Sequence, residues 1–168
     1  DLTNAGAELS AYDILFVDAN SVPSKAVALS AVRGAANAAD AVRNVELIIS
    51  AVTAASDIDA ANSVVGAMAS GASFLDLNSA SPGMKRAAQE IIENAGGRYV
   101  EAAVMTPIAG KRIASKMFLG GVHAEEFMAR ANPLGFSSEF FSDEIGKAAA
   151  TKMCRSVIIK GVEALLSE

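Results

Sequence analysis

The stretch Phe74-Leu-Asp-Leu-Asn-Ser-Ala-Ser-Pro-Gly-Met-Lys-Arg86 decides the fold. Its apolar run ends at Asp76, polar Asn78 and Ser79 follow, and Ser81-Pro82 opens a helix. Proline suits a first helical turn, where its missing N–H would be unpaired anyway, and a serine just before it can accept a bond from the exposed donors. A strand that passes into a helix through a short polar crossover is half of a parallel βα unit. In open α/β sheets the ligand sits just outside such strand ends.

The same alternation continues outward. Upstream, Val45–Val52 reads as a buried strand, and Ser56–Met68 as a helix with Asp57 and Asp59 in its first turn, where they suit the dipole. Before them, Glu8–Ile14 reads as a strand after a helix stop at Gly6, Val32–Ala36 as a short strand and Asp40–Asn44 as a brief helix. Downstream, the helix Pro82–Asn94 stops at Gly96-Gly97. Arg98–Val104, Lys116–Leu119 and Gly135–Phe141 read as strands, with Ala124–Arg130 helical between the last two. The long helical stretch Gly146–Glu168 carries Ile158, Val162, Leu165 and Leu166 on one face. Strands alternating with helices predict an α/β fold, a doubly wound and mostly parallel sheet with helices on both faces.

Composition narrows the chemistry. A chain of 168 residues with 52% hydrophobic content is long and apolar enough to bury a core, which excludes disorder. The net charge of −5 lacks the basic face that phosphate backbones need, so no nucleic-acid partner is expected. Cys154 is the sole cysteine and His123 the sole histidine, so zinc clusters and Ser-His-Asp chemistry lack their parts. One unpaired cysteine, no bilayer-length apolar run and no secretory signal point to a reducing, cytoplasmic setting without a membrane partner.

A dinucleotide-binding half begins with a strand, then G-x-G-x-x-G, then a helix. Here Asp1-Leu-Thr-Asn-Ala-Gly6 resembles the end of that helix, and the glycine pairs at 96–97 and 120–121 do not supply the fingerprint. In the doubly wound order the strand before that loop is central, between the strands ending near Asp13 and Val52. Its loss would leave buried backbone unpaired. The chain is therefore expected to be a fragment of a longer protein.

Three segments, in order, resemble the β-hydroxyacid dehydrogenase family, which includes 3-hydroxyisobutyrate dehydrogenases and relatives of 6-phosphogluconate dehydrogenase. Asp76-Leu-Asn-Ser-Ala-Ser-Pro82 is similar to the family's D-x-S-T-x-x-P substrate loop. Tyr99-Val-Glu-Ala-Ala-Val104 lies where the family reads roughly D-A-P-V before S-G-G. Gly146-Lys-Ala-Ala-Ala-Thr-Lys152-Met-Cys-Arg-Ser156 is similar to G-x-G-x-x-x-K-x-x-x-N. The departures are Met105-Thr106-Pro107 for S-G-G, Ala148 for the second glycine and Ser156 for the asparagine; they resemble a divergent phosphogluconate-dehydrogenase-like branch.

The resemblance implies a Rossmann-like domain over residues 1–145. Residues 146–168 would be a connecting helix that begins an all-helical second domain, the usual homodimer contact. It implies hydride transfer between NAD or NADP and a small hydroxy acid. Lys152 would assist proton transfer at the substrate hydroxyl, a task that suits an ammonium partly removed from water. Ser156, one turn on, shares its face. Asn78 and Ser79 would meet substrate and the nicotinamide ribose, and Met105 and Thr106 would shape the substrate wall. Asp13 stands where an acid binds the adenosine ribose and would repel a 2′-phosphate, which favours NAD. Val52 and Thr53 would pass beneath the cofactor, and no metal is expected.

The surrounding residues read more plainly. Lys85-Arg86 and Lys160 read as solvated, Cys154 as packing and His123 as a residue at a helix start. Two rival readings accompany the dehydrogenase. One is an imine reductase on the same scaffold, allowed by Ser156 and Met105; the other is a non-catalytic Rossmann-like module.

Overall fold

The computed structural model describes residues 1–167. In chain order it contains β1 (Ser10–Ala11), α1 (Val22–Ala28), β2 (Arg33–Gly34), α2 (Ala38–Ala41), β3 (Leu47–Ser50), α3 (Asp57–Val64), β4 (Ser73–Asp76), α4 (Pro82–Asn94), β5 (Arg98–Val104), β6 (Lys116–Gly120), α5 (Ala124–Ala131), β7 (Ser137–Ser142) and α6 (Lys147–Ser167). Strands β3 to β7 form one sheet in sequence order, and β1 and β2 pair in parallel as a separate ribbon. Strands β3, β4 and β5 run parallel, β6 is antiparallel to β5, and β7 is parallel to β6. The fold is thus the expected α/β, Rossmann-like and mostly parallel one.

Side chains alternate across a strand, so a sheet covered on both faces needs apolar residues at both parities. Ile48, Phe74 and Tyr99 stand in register across β3, β4 and β5 and pack with Ala61, Val64, Ala88 and Ile92 of α3 and α4. Leu75 and Val100 take the other parity and pack with Phe127 of α5 and with Leu119 and Phe136. The Phe74 and Tyr99 rings stack with centroids 6.1 Å apart. Helix α4 starts as its sequence dictates, with Ser81 Oγ accepting from Met84 N–H and Pro82 in the first turn.

The first forty residues depart from the sequence reading. Of the strand expected over Glu8–Ile14 only Ser10–Ala11 pairs, because the Asp13 carboxylate accepts the Leu15 N–H and turns Ile14–Val17 into a 3-10 helix. Helix α1 is an addition to the sequence reading; Ser21 Oγ accepts from Ser24 N–H and Pro23 sits in the first turn, a start similar to that at Ser81-Pro82. Helix α2 begins two residues before the expected one, since the Asn37 side chain caps Asp40 N–H. β1 and β3 are not hydrogen-bonded to one another; Ser10 Oγ donates to the Ala41 carbonyl at 2.5 Å beside them.

Helix α6 is the long expected helix; Glu168 lies outside the described residues. Ala148 and Ala149 are buried at its start, whereas Ile158, Val162, Leu165 and Leu166 are exposed. No helix among the described residues is long and apolar enough to cross a membrane.

Candidate active site

The register aligns Ser50, Asp76 and Gly120, the last residues of β3, β4 and β6, with Glu101 in the middle of β5. This is a buried polar row laid across the sheet. Lys85, 1% exposed, reaches in from α4 and places its Nζ 2.7 Å from Asp76 Oδ1 and 3.1 Å from the Asp76 carbonyl. Tyr99 donates its hydroxyl to Asp76 Oδ2 at 2.5 Å. Burial and the nearby Asp76 charge push the Tyr99 hydroxyl far above the ordinary phenol range, so it remains a donor. An ionised carboxylate held by an ammonium, a hydroxyl and a backbone N–H has its oxygens satisfied, which burial of a charge demands.

The Asn78 side chain ties three elements together. Its Oδ1 accepts the Val52 N–H at 2.6 Å, and its Nδ2 donates to Ser50 Oγ at 2.9 Å and to Asp57 Oδ1 at 2.6 Å. Its backbone N–H goes to Asp76 Oδ1 at 2.8 Å. Both amide hydrogens are therefore engaged within the protein. Asn78→Ala is expected to cost about 1–3 kcal/mol in denaturant unfolding, because it orphans the Val52 N–H and the buried Ser50 and Asp57 side chains.

Asp57 is fully buried at the start of α3, and its Oδ2 has no partner among the described residues. Burial raises its carboxyl above the ordinary range against the pull of the Asn78 amide. A raised folded-state pKa means that the stabilising contribution is full below the unfolded value and lost as pH rises through the folded one. Wild type should therefore lose stability relative to Asp57→Asn as pH rises from the ordinary carboxylate range towards neutrality, read by urea titrations at several pH values.

Helix α6 crosses the end of this row and closes a cleft of about 420 Å³, lined by Ser79, Ala102, Ala103, Lys152, Ser156 and Lys160, among others. Ala103, which shares the face of β5 that Glu101 turns to α6, leaves space that a larger side chain would fill. Lys152 donates its Nζ to Ser79 Oγ at 2.8 Å, so the last helix and the β4 crossover meet here. Burial, and secondarily the nearby Lys85 charge, hold the Lys152 amine below the ordinary lysine range.

Asn78, Ser79, Lys152 and Ser156 thus come together in one cleft. Met105 and Thr106 are not among its lining residues. The Met105 carbonyl instead accepts from Arg155 Nη1 at 2.5 Å, tying α6 to the loop after β5, and Thr106 Oγ1 is buried without a partner among the described residues. Val52 and Thr53 lie exposed just beyond β3, where Thr53 Oγ1 pairs with Ser56 Oγ. Asp13 sits beyond β1, with Oδ1 spent on the Leu15 cap.

Some readings change. Lys85 is buried rather than solvated, and its spacing to Ala88 and Ile92 shows why, since i, i+3 and i+7 form the inward stripe of α4. Cys154 is exposed rather than packed. Lys160 is exposed but edges the cleft. Tyr99, Asp57 and Glu101 were not singled out as polar core residues, because a tyrosine or acid in an apolar run gives no sign of its partner.

The comparisons with known proteins bear on this site. Residues 1–134 match the model of the NAD binding domain of 6-phosphogluconate dehydrogenase. The chain belongs to that family, within the β-hydroxyacid dehydrogenases. A conserved hypothetical protein from Sinorhizobium meliloti 1021 is 33% identical with a TM-score of 0.85, covering 98% of this chain and 55% of that one. Two more distant structures show the shared fold. Mycobacterium tuberculosis 3-hydroxyisobutyrate dehydrogenase with L-serine has 21% identity and a TM-score of 0.77, covering 94% of this chain and 54% of that one. An imine reductase from Streptomyces aurantiacus has 21% identity and a TM-score of 0.75, covering 98% and 57%. The chain spans little more than half the length of each.

This is therefore an NAD-binding domain of an oxidoreductase family. Its residues offer a cofactor of this class both apolar surface and hydrogen-bonding groups. Val52, 42% exposed at the mouth of β3, offers apolar surface, while Ser79 Oγ and Lys152 Nζ offer hydrogen bonds across the cleft.

Proposed function

We propose that this domain serves an NAD(P)-dependent dehydrogenase acting on a small hydroxy acid, with Lys152 moving the hydroxyl proton. The observation that carries the reading is the partly desolvated Lys152 amine, 2.8 Å from Ser79 Oγ inside the cleft. When bound, a nicotinamide cofactor would supply the hydride acceptor for the oxidative direction. The hydroxyl on the same carbon must then lose a proton, and a neutral lysine amine can take it; in the reductive direction the ammonium returns it. A lowered amine pKa makes both protonation states available nearer to neutral pH.

Ser79 holds the amine by its hydroxyl and orients its lone pair towards the cleft. Ser156, one helical turn from Lys152, stands in for the asparagine of the resembling motif and hydrogen-bonds the substrate. Lys160, a further turn along, adds a second positive charge that attracts a carboxylate. Met105 and Thr106 are proposed to form the outer substrate wall, and Asn78 fixes the crossover on which Ser79 stands. Val52 and Thr53 would hold the cofactor from below, and Asp13, with one oxygen left for a ribose hydroxyl, would favour NAD over NADP. The exposed apolar residues of α6 are proposed to meet an all-helical domain through which two copies pair.

Two lysines lining one cleft disfavour a cationic iminium substrate, which sets the hydroxy acid ahead of the imine. Assaying the full-length protein with NAD and NADP against hydroxy acids and cyclic imines tests this. Turnover of hydroxy acids with NAD is expected. Turnover of imines alone would move the assignment to the imine-reductase reading, and turnover of neither class would leave a non-catalytic module.

A further inference from the structure

We infer that Glu101 is a positioning residue, gripping the N-terminus of α6 so that Lys152 reaches Ser79; the inference rests on the role proposed for Lys152. A helix leaves its first backbone N–H groups unpaired, and a side chain just before the helix ordinarily caps them. Helix α6 is preceded by Gly146, which has no side chain to offer. The cap comes instead from β5. Glu101, fully buried, accepts the Gly146 N–H on Oε2 at 2.6 Å and the Ala149 N–H on Oε1 at 2.7 Å.

Two glycines keep this arrangement possible. A Cβ at Gly120, in register with Glu101 on β6, would stand 2.8 Å from Glu101 Oε2. Gly146 takes a φ of +96°, and a Cβ there would press on Arg86 Nη1 at 2.8 Å and Pro82 Cβ at 3.0 Å. The start of α6 is thus seated against the start of α4, with no room for a capping side chain of its own.

Lys152 lies three residues beyond Ala149, about 4.5 Å along the helix axis. Ala148 and Ala149 are buried, while from Met153 onward α6 is mostly exposed, so the helix is held chiefly at its first turns. A change of tilt or register at the Glu101 grip therefore displaces the amine. Glutamine at this position would offer one acceptor oxygen and turn an NH₂ towards the second helix donor. Aspartate would keep the charge on a shorter arm. Gly120→Ala would crowd the carboxylate without removing it.

The test uses the full-length protein carrying Glu101→Gln, Glu101→Asp or Gly120→Ala. Reaction of Lys152 with a small amine-reactive reagent, followed by mass spectrometry across pH, reads its environment without relying on turnover; kcat and dinucleotide affinity are measured alongside. In Glu101→Gln and Gly120→Ala the Lys152 titration should move up towards that of an ordinary lysine. With it kcat should fall by up to about 10²-fold, the cost of an ångström-scale misplacement, with dinucleotide affinity retained. Glu101→Asp should recover part of both. If any of the three fails to fold, the remaining folded variants carry the test. A wild-type Lys152 titration in every folded variant overturns the inference. A shifted titration with unchanged kcat supports the grip and removes the proton-transfer role from Lys152 instead.

Discussion

Lys152→Met in the full-length protein should lower kcat by about 10²–10⁴-fold, the range supplied by a positioned proton-transfer group, while dinucleotide affinity is kept. Methionine fills similar space without a titratable atom. The fold should not suffer, because the amine is held partly out of water at a cost. A lysine whose folded pKa is depressed binds its proton more weakly in the folded state than in the unfolded one. Its contribution to stability therefore grows as pH rises from that depressed value to the ordinary lysine value. At neutral pH the methionine variant should be at least as stable as wild type, in the manner of a functional group retained at the expense of stability. Equal kcat in the variant would remove Lys152 from the chemistry.

Lys85→Met should destabilise the domain by about 3–5 kcal/mol in urea unfolding. The methionine covers the same apolar area, but Asp76 is left with a buried charge whose only remaining side-chain partner among the described residues is the Tyr99 hydroxyl. Adding Asp76→Asn to Lys85→Met removes that charge and should recover part of the loss. A double variant less stable than Lys85→Met alone would show that Asp76 draws its support from elsewhere. The network also matters to the site, since Asp76 Oδ1 takes the Asn78 N–H and so shapes the crossover that carries Ser79.

The βαβ frame and the cleft-forming pair were legible because each rests on a local pattern. The apolar run to Asp76, the Ser81-Pro82 start and the Gly96-Gly97 stop gave β4 and α4, and the Lys152–Ser156 spacing put both on one helical face. The capped turns at Asp13, Ser21 and Asn37 were harder. There a single side chain accepting one backbone N–H sets the local structure, shortening β1 at Asp13 and starting α1 and α2 at Ser21 and Asn37. The buried row was hidden for a different reason. Asp76, Glu101 and Lys85 lie on three separate elements, and only strand register reveals that two carboxylates stand side by side with an ammonium beneath them. Asn78 carried a signal of polarity in a crossover, but its partners Ser50, Val52 and Asp57 are 21 to 28 residues away in sequence.

The most direct test is an NMR titration of the Lys152 side-chain amine, using the isotope-labelled full-length protein in wild-type and Ser79→Ala forms. A midpoint below that of an ordinary exposed lysine is expected in wild type, with a change in that midpoint when the Ser79 hydroxyl is removed. A midpoint at the ordinary lysine value, indifferent to Ser79, would place the amine in open water and contradict the assignment.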